Sequence, residues 1–269
     1  MSANIYLHEF RSRLKSVLNW SLAVAAVSLI YFSFFTMFAD QAALMNQMMQ
    51  NFPPELLAAF GMQGLNLATV LGYFGFVFLF ILLFLAIQAG NYGFGLVSIE
   101  ESELTADFLL TRPVSRVQVL TSKLLAALTC LGITDLVVWV SSFAAITLFR
   151  GKYAYEAGTL ILLLLSVIPF QLFFLGVGLV VSLLVKRVRS VTPYSLGLAF
   201  GMYVLSAFSG VFGDVTLELI TPFKHFDPNY IVQNGAYDTP LVLLNLAVSL
   251  IALAASYWLY LRRDIPSVS

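Results

Sequence analysis

Charge is scarce in this chain. Asp, Glu, Lys and Arg make up 10% of its 269 residues, whereas soluble domains carry about 25%. A water-solvated globule of ordinary composition is therefore excluded. Fourteen Lys and Arg balance fourteen Asp and Glu, so no basic excess points to a nucleic-acid partner. The single cysteine, Cys130, excludes an internal disulfide and leaves the compartment undetermined. Two histidines far apart, His8 and His225, give no metal constellation. No G-x-x-x-x-G-K-[ST] phosphate loop exists, since Gly151-Lys152 is the sole Gly-Lys pair and Ile146 stands where its first glycine is needed. The Gly90, Gly93 and Gly95 spacing is no dinucleotide loop either, because it follows an apolar helix and no strand.

Apolar length is what the chain has in excess. It is 60% hydrophobic, with a mean hydropathy of +0.90. Crossing a bilayer takes about 20 apolar helical residues. Six stretches qualify, at about Val17–Phe38, Thr69–Ala89, Val117–Phe149, Thr159–Val185, Val191–Phe212 and Thr239–Leu261. Nothing reads as the alternating segments of roughly ten residues that build a barrel. The expected fold is an all-α polytopic membrane protein with six transmembrane helices. A cleaved signal peptide is a poor reading, because the first run is long enough to span and FFTMFAD lacks small cleavage-site residues.

The few charges orient the spans. Arg11, Arg13, Lys15, Arg112, Arg116, Lys123, Lys186, Arg187, Arg189, Arg262 and Arg263 fall on one side; Arg150, Lys152 and Lys224 fall on the other. The positive-inside bias makes both termini cytoplasmic, and an even number of spans requires the termini to share a side. Before the first span, Ile5, Phe10, Leu14 and Trp20 form an apolar stripe while Arg11, Arg13 and Lys15 can reach headgroups. Residues 1–16 therefore read as an in-plane interfacial helix, with a solvated basic lead-in as the alternative.

Two outer loops stand out. Residues 40–68 contain no Lys or Arg; Pro54 opens a short helix, ELLAAF, that Gly61 closes. In residues 213–238, Leu217, Leu219, Ile220, Phe223, Phe226 and Ile231 are too apolar for a solvated loop, and Pro222 and Pro228 cut the segment into pieces too short to span. Short interfacial or re-entrant helices are expected there. On the inner side, Glu100, Glu103 and Asp107 share one helical face with Glu101 beside them. Pro113 stops that helix near Arg112, and Ser115 with Gln118 forms a capping box that starts the third span. Gln88 and Asn91 are placed to hold the turn into the acidic helix.

The stretch IEESELTADFLLTRPVSRVQVLTSKLLA resembles the cytoplasmic segment of the ABC-2 type permeases, in which an acidic run similar to GEEERGTLEFLLTLPVSR precedes a lysine. The likeness is strongest over residues 98–126 and looser at PPELLAAFG and TPFKHFDPNYIV. Leu104 departs from it where a glycine is common. The resemblance implies a single permease domain over residues 1–269, with 98–116 as a cytoplasmic coupling segment seated in a separate ABC-type ATPase subunit. Glu100, Glu101, Glu103, Thr105, Asp107, Arg112, Pro113, Ser115 and Arg116 then become the coupling contacts. It further implies no cofactor in this chain, ATP and Mg in the partner subunit, a second permease subunit, surrounding lipid, and a multi-pass place in a prokaryotic plasma membrane.

Within the spans, Asp135 lies near the middle of the third, where an ionised carboxylate costs about 2.5–3.5 kcal/mol. It is protonated, hydrogen-bonded to Ser, Thr or Tyr, or facing a hydrated cavity, and serves helix packing or the transport path. Pro169 predicts a kink whose freed carbonyl Gln171 meets. Gly197, Gly201, Ser206 and Gly210 form a small-residue stripe for packing inside the chain or against a second subunit. The abundant Phe and Tyr read as lipid-facing and interfacial. The functional reading is the permease subunit of an ATP-driven exporter rather than an enzyme. A secondary ion-coupled carrier using Asp135 is the alternative, though no inverted repeat supports it.

Overall fold

The computed structural model describes residues 2–62, 64–102, 114–185, 188, 190–213 and 215–262. Six helices among them are long and apolar enough to cross a membrane. They are helices because lipid offers no partner to backbone N–H and C=O groups, which must then bond within the segment. The elements are α1 (Ala3–Ser33), α2 (Phe35–Asp40), α3 (Ala42–Asn51), α4 (Pro54–Ala59), α5 (Val70–Ser102), α6 (Arg116–Phe149), α7 (Ala157–Leu184), α8 (Val191–Phe212), α9 (Val215–Ile220), α10 (Pro222–His225), α11 (Pro228–Asn234) and α12 (Thr239–Arg262).

Two expected breaks are absent. α1 runs without interruption from Ala3 into the first span, so residues 3–16 are not a separate in-plane helix. They pack along α6 instead: the Ser2 backbone N–H donates to Ser122 Oγ at 2.8 Å, and the Tyr6 hydroxyl meets that of Thr129 at 3.1 Å. Arg13 turns inward and is buried rather than reaching outward. Likewise α5 does not turn near residue 89 but continues to Ser102. Gln88 and Asn91 hold no turn. Gln88 Nε2 donates to Thr134 Oγ1 at 2.8 Å, and Asn91 Oδ1 accepts from Ser195 Oγ at 2.7 Å.

Glycine inside α5 explains how it packs. A Cβ at Gly93 would overlap the Leu175 carbonyl oxygen of α7 and stand 3.1 Å from the Leu179 nitrogen. One at Gly178 would lie 3.3 Å from the Gly90 carbonyl, and one at Gly90 3.1 Å from Ser195 Cβ. Lipid is as apolar as leucine, so spans gain little by hiding leucine from it and associate through close backbone approach. α12 follows the same rule, burying Asn245, Ser249, Ala252, Ser256 and Tyr260 while Leu243, Leu246, Leu250 and Ile251 face outward. Its contact on α7 passes over Gly176, whose Cβ would come within 3.2 Å of Ala252 Cβ.

The aromatic residues are not mainly lipid-facing. Phe32, Phe35, Phe74, Phe78, Phe170, Phe174, Phe223 and Phe226 are among the largest fully buried side chains. Edge-to-face pairs such as Phe170–Phe223, with ring centroids 5.1 Å apart, supply packing that aliphatic burial in lipid does not.

At the end of the bundle opposite the chain's N-terminus, α4 opens on Pro54 and Gly61 takes a φ of 64°, as its sequence predicts. α4 lies on α8, with the Ala58 carbonyl 3.3 Å from a Cβ built on Gly210. Residues 42–51, read as loop, form the additional helix α3. The 213–238 segment folds as three short helices, with Pro222 and Pro228 opening α10 and α11. Phe223, Phe226 and Ile231 face inward, while Leu219 and Ile220 of α9 face outward. Thr221 Oγ1 donates to the Met202 carbonyl at 2.8 Å. His225 is buried between the Leu219 carbonyl, 3.2 Å from Nε2, and Asn245 of α12, 3.4 Å from Nδ1.

Two outcomes follow from these contacts. Gly93→Ala forces α5 away from α7 and costs about 1–3 kcal/mol, in the range of overpacked cores. Gly197→Ala, where a Cβ meets nothing within 4 Å, leaves the thermal unfolding of the detergent-solubilised chain unchanged or raises it slightly. Burial holds the His225 pKa below its ordinary value, against the opposing pull of the Leu219 and Glu218 backbone and of Asp238. The unfolded segment then binds a proton before the folded one does. Stability of residues 222–234 is full above about pH 6.5 and falls as pH drops from there toward the depressed folded value. Amide exchange in this segment accelerates across that window, and His225→Gln flattens the change.

Candidate functional site

At the N-terminal end of the bundle, three spans meet around charges that have left water. Lys123, about two helical turns into α6, is 2% exposed. Its ammonium donates to the Leu96 carbonyl of α5 at 2.7 Å and lies 3.7 Å from Glu9 Oε1 of α1. Glu9 also pairs with Arg13 one turn later. The Arg13 guanidinium stands 6.0 Å from the centre of the Tyr92 ring, and the Tyr92 hydroxyl donates to Ser16 Oγ at 3.3 Å. Buried charge is tolerated when it is paired and hydrogen-bonded. This cluster meets that condition by joining α1, α5 and α6 at a single point.

The segment after it is bracketed by two helix ends. α5 carries Glu100 and Glu101 in its last turn. α6 begins at Arg116 behind Ser115, which caps it as expected: Ser115 Oγ accepts from the Gln118 N–H at 3.2 Å, and Gln118 Oε1 accepts from the Ser115 N–H at 3.2 Å. Glu103, Thr105, Asp107, Arg112 and Pro113 lie outside the described residues. Arg116 is engaged within the chain. Its guanidinium donates to the Tyr260 and Leu261 carbonyls in the last turn of α12, at 3.5 and 3.3 Å, where a cation also meets the negative end of the helix dipole. One and a half turns further along α6, the Thr121 and Tyr257 hydroxyls meet at 2.9 Å.

Deeper in the bundle, Gln88 bridges α5 to Thr134 of α6, and the next residue, Asp135, faces Gln171 of α7. Asp135 Oδ1 and Gln171 Nε2 are both buried without a hydrogen-bond partner. Gln171 therefore does not meet a carbonyl freed by Pro169, and no Ser, Thr or Tyr hydroxyl reaches Asp135. α7 stays helical through Pro169. The small-residue stripe of α8 divides: Gly210 is covered by α4, Ser206 is half-buried, and Gly197 and Gly201 face outward with nothing within 4 Å of a Cβ. Among the described residues, nothing packs against Gly197 or Gly201. Among the described residues, no group of three or more His, Cys, Asp or Glu could hold a metal ion.

Residues 3–265 match the family described as ABC-2 family transporter protein. The chain belongs to that family. No curated protein matches it. The ABC-2 assignment makes the chain a multi-pass membrane component of a transporter, in keeping with its six spans. The lysine that follows the acidic segment in the family resemblance is Lys123, the centre of the buried charge cluster. Sequence reading left Glu9, Arg13 and Lys123 off the site. The signals available were the i, i+4 spacing of Glu9 and Arg13 and a lone lysine facing into an apolar helix.

Replacing Lys123 by Met keeps its volume but leaves Glu9 with one cation fewer and the Leu96 carbonyl without this donor. It lowers the unfolding free energy of the ABC-2 chain by about 1–3 kcal/mol. Lys15→Met, at an exposed position on the same helix as Glu9, leaves it unchanged. Thermal unfolding in detergent compares the two.

Proposed function

We propose that this chain is the permease subunit of an ATP-driven exporter, driven by a separate ATPase through residues 98–116. The observation that carries this reading is the bracketing of that segment. Upstream, α5 is tied to α6 and α1 by Lys123 on the Leu96 carbonyl. Downstream, the start of α6 is tied to α12 by Arg116 and Thr121. An acidic stretch held at both ends by helices is suited to receive a push and pass it on.

In this reading Glu100, Glu101, Glu103, Thr105, Asp107, Arg112, Pro113 and Ser115 present the contact surface for the ATPase, and Arg116 anchors its edge. Both termini and this segment lie in the cytoplasm, as the Lys and Arg asymmetry favours. ATP and Mg are bound by the partner, consistent with the missing P-loop. A second permease subunit, identical or homologous, completes the path. The outward Gly197 and Gly201 of α8, a helix that buries only Ser195, Ala199 and Ser209 among the described residues, offer a close-approach surface for it. The site of action is the plasma membrane of a prokaryote, with lipid around the remaining faces.

Charge reversal tests the coupling. With Glu100, Glu103 and Asp107 all changed to Lys, the permease still folds, no longer co-purifies with the ATPase, and moves no cargo. Retained ATPase binding and transport in that variant ends the proposal. Transport that persists without any ATPase and collapses when an ion gradient is dissipated points to an ion-coupled carrier instead.

A further inference from the structure

The pair at Asp135 and Gln171 is not used by the coupling mechanism above, and its chemistry is unbalanced. Asp135 is 8% exposed and Gln171 1% exposed. Asp135 and Gln171 face each other across α6 and α7, and Asp135 Oδ1, an acceptor, and Gln171 Nε2, a donor, are both buried without a geometrically formed hydrogen bond. No Lys, Arg or His forms an ion pair with Asp135 among the described residues. The nearest cations along α6, Lys123 and Arg116, are committed to the Leu96 carbonyl and to the end of α12. Gln171 is the polar group that faces the carboxyl; no charged or titratable side chain of α1, α5, α7 or α12 is hydrogen-bonded to it.

A carboxylate stripped of water and of counter-charge does not stay ionised, because neutralisation costs less than uncompensated burial. Protonation turns Asp135 into a donor as well as an acceptor. A carboxamide, which offers both an N–H and a C=O, is the matching partner for a neutral acid. A carboxylate could accept from the amide N–H alone, whereas the neutral acid can also donate to the amide C=O. We propose that Asp135 and Gln171 form a proton-binding site between α6 and α7, which holds one proton on Asp135 while the helices are packed and releases it to water when they part. The proton leaves as hydronium, and the carboxylate left behind is stabilised by the water that entered. The release half rests on the reading of a moving, ATP-driven permease; the binding half does not.

Infrared spectroscopy of the full-length chain in lipid nanodiscs, with its ATPase bound and carbon-13 placed in the aspartate carboxyl groups, tests both halves. At neutral pH the protein shows an isotope-sensitive C=O stretch of a neutral carboxylic acid. That band disappears in Asp135→Asn and shifts in Gln171→Met. No isotope-sensitive acid band at neutral pH, or one that survives Asp135→Asn, overturns the site. Because labelling needs no substitution and Gln171→Met reads the same band, the test stands if Asp135→Asn fails to accumulate. On trapping with ATP, Mg and vanadate the band loses intensity. A band unchanged by trapping, in a complex that hydrolyses ATP and moves cargo, overturns release while leaving the permease reading intact. Failure of any ATPase to bind sinks the permease reading yet leaves the resting band to decide the site.

Discussion

The structure depends on how closely α5 and α7 approach. Inside a bilayer the usual profit from hiding apolar side chains is lost, since the solvent is itself hydrocarbon. Helices then associate where backbones can touch, and here that happens at Gly90, Gly93 and Gly178. The remaining contacts follow from that crossing. α5 in this position brings the Leu96 carbonyl to Lys123, Gln88 to Thr134 and Asn91 to Ser195. Gly176, on the same stretch of α7, admits α12. A side chain at any of these glycines would loosen several interhelical bonds at once, because those bonds are made along the same two helices.

Local signals were legible in the sequence, and long-range ones were not. Six spans could be read because length and hydropathy act along the chain. The starts of α4, α10 and α11 could be read because proline at a first helical position states its own geometry. The capping box at Ser115 needs only four residues, Ser115 to Gln118. By contrast, continuation of α5 through residues 89–102 was not legible, because the apolar run thins there into glycine and polar residues. Gly90 and Gly93 admit a neighbour, which only the partner helices reveal. Inward burial of Arg13 was hidden in the same way, because the Tyr92 ring beside it and the Lys123 that shares Glu9 come from two other helices.

The candidate site divides along the same line. Ser115 caps α6 as its sequence says, whereas the pairing of Arg116 with α12 joins residues more than 140 positions apart. The stripe on α8 left two directions open, packing inside the chain or against a second subunit, since a glycine gives the same pattern whether it faces a sister helix or the outside. The phenylalanines misled for a related reason. Hydropathy scores them as lipid-seeking, yet Phe170, Phe174 and Phe223 pack against one another where α7 meets the short helices.

Two kinds of buried charge coexist, and the difference between them bears on mechanism. Glu9 is held between two cations, Arg13 and Lys123, so moving any of them breaks bonds and costs energy. Such a cluster resists rearrangement and suits the fixed root of a lever. Asp135 has no counter-ion to lose among the described residues, so separating α6 from α7 there exposes a group that gains hydration. The same bundle is therefore stiff at the end where the acidic segment attaches and soft at the depth of Asp135. Under the proposed coupling, a displacement applied to that segment would meet roots held by Lys123 and Arg116. It would travel instead along α5 and α12 to α7, the helix both of them touch through glycine, and α7 is where Gln171 stands.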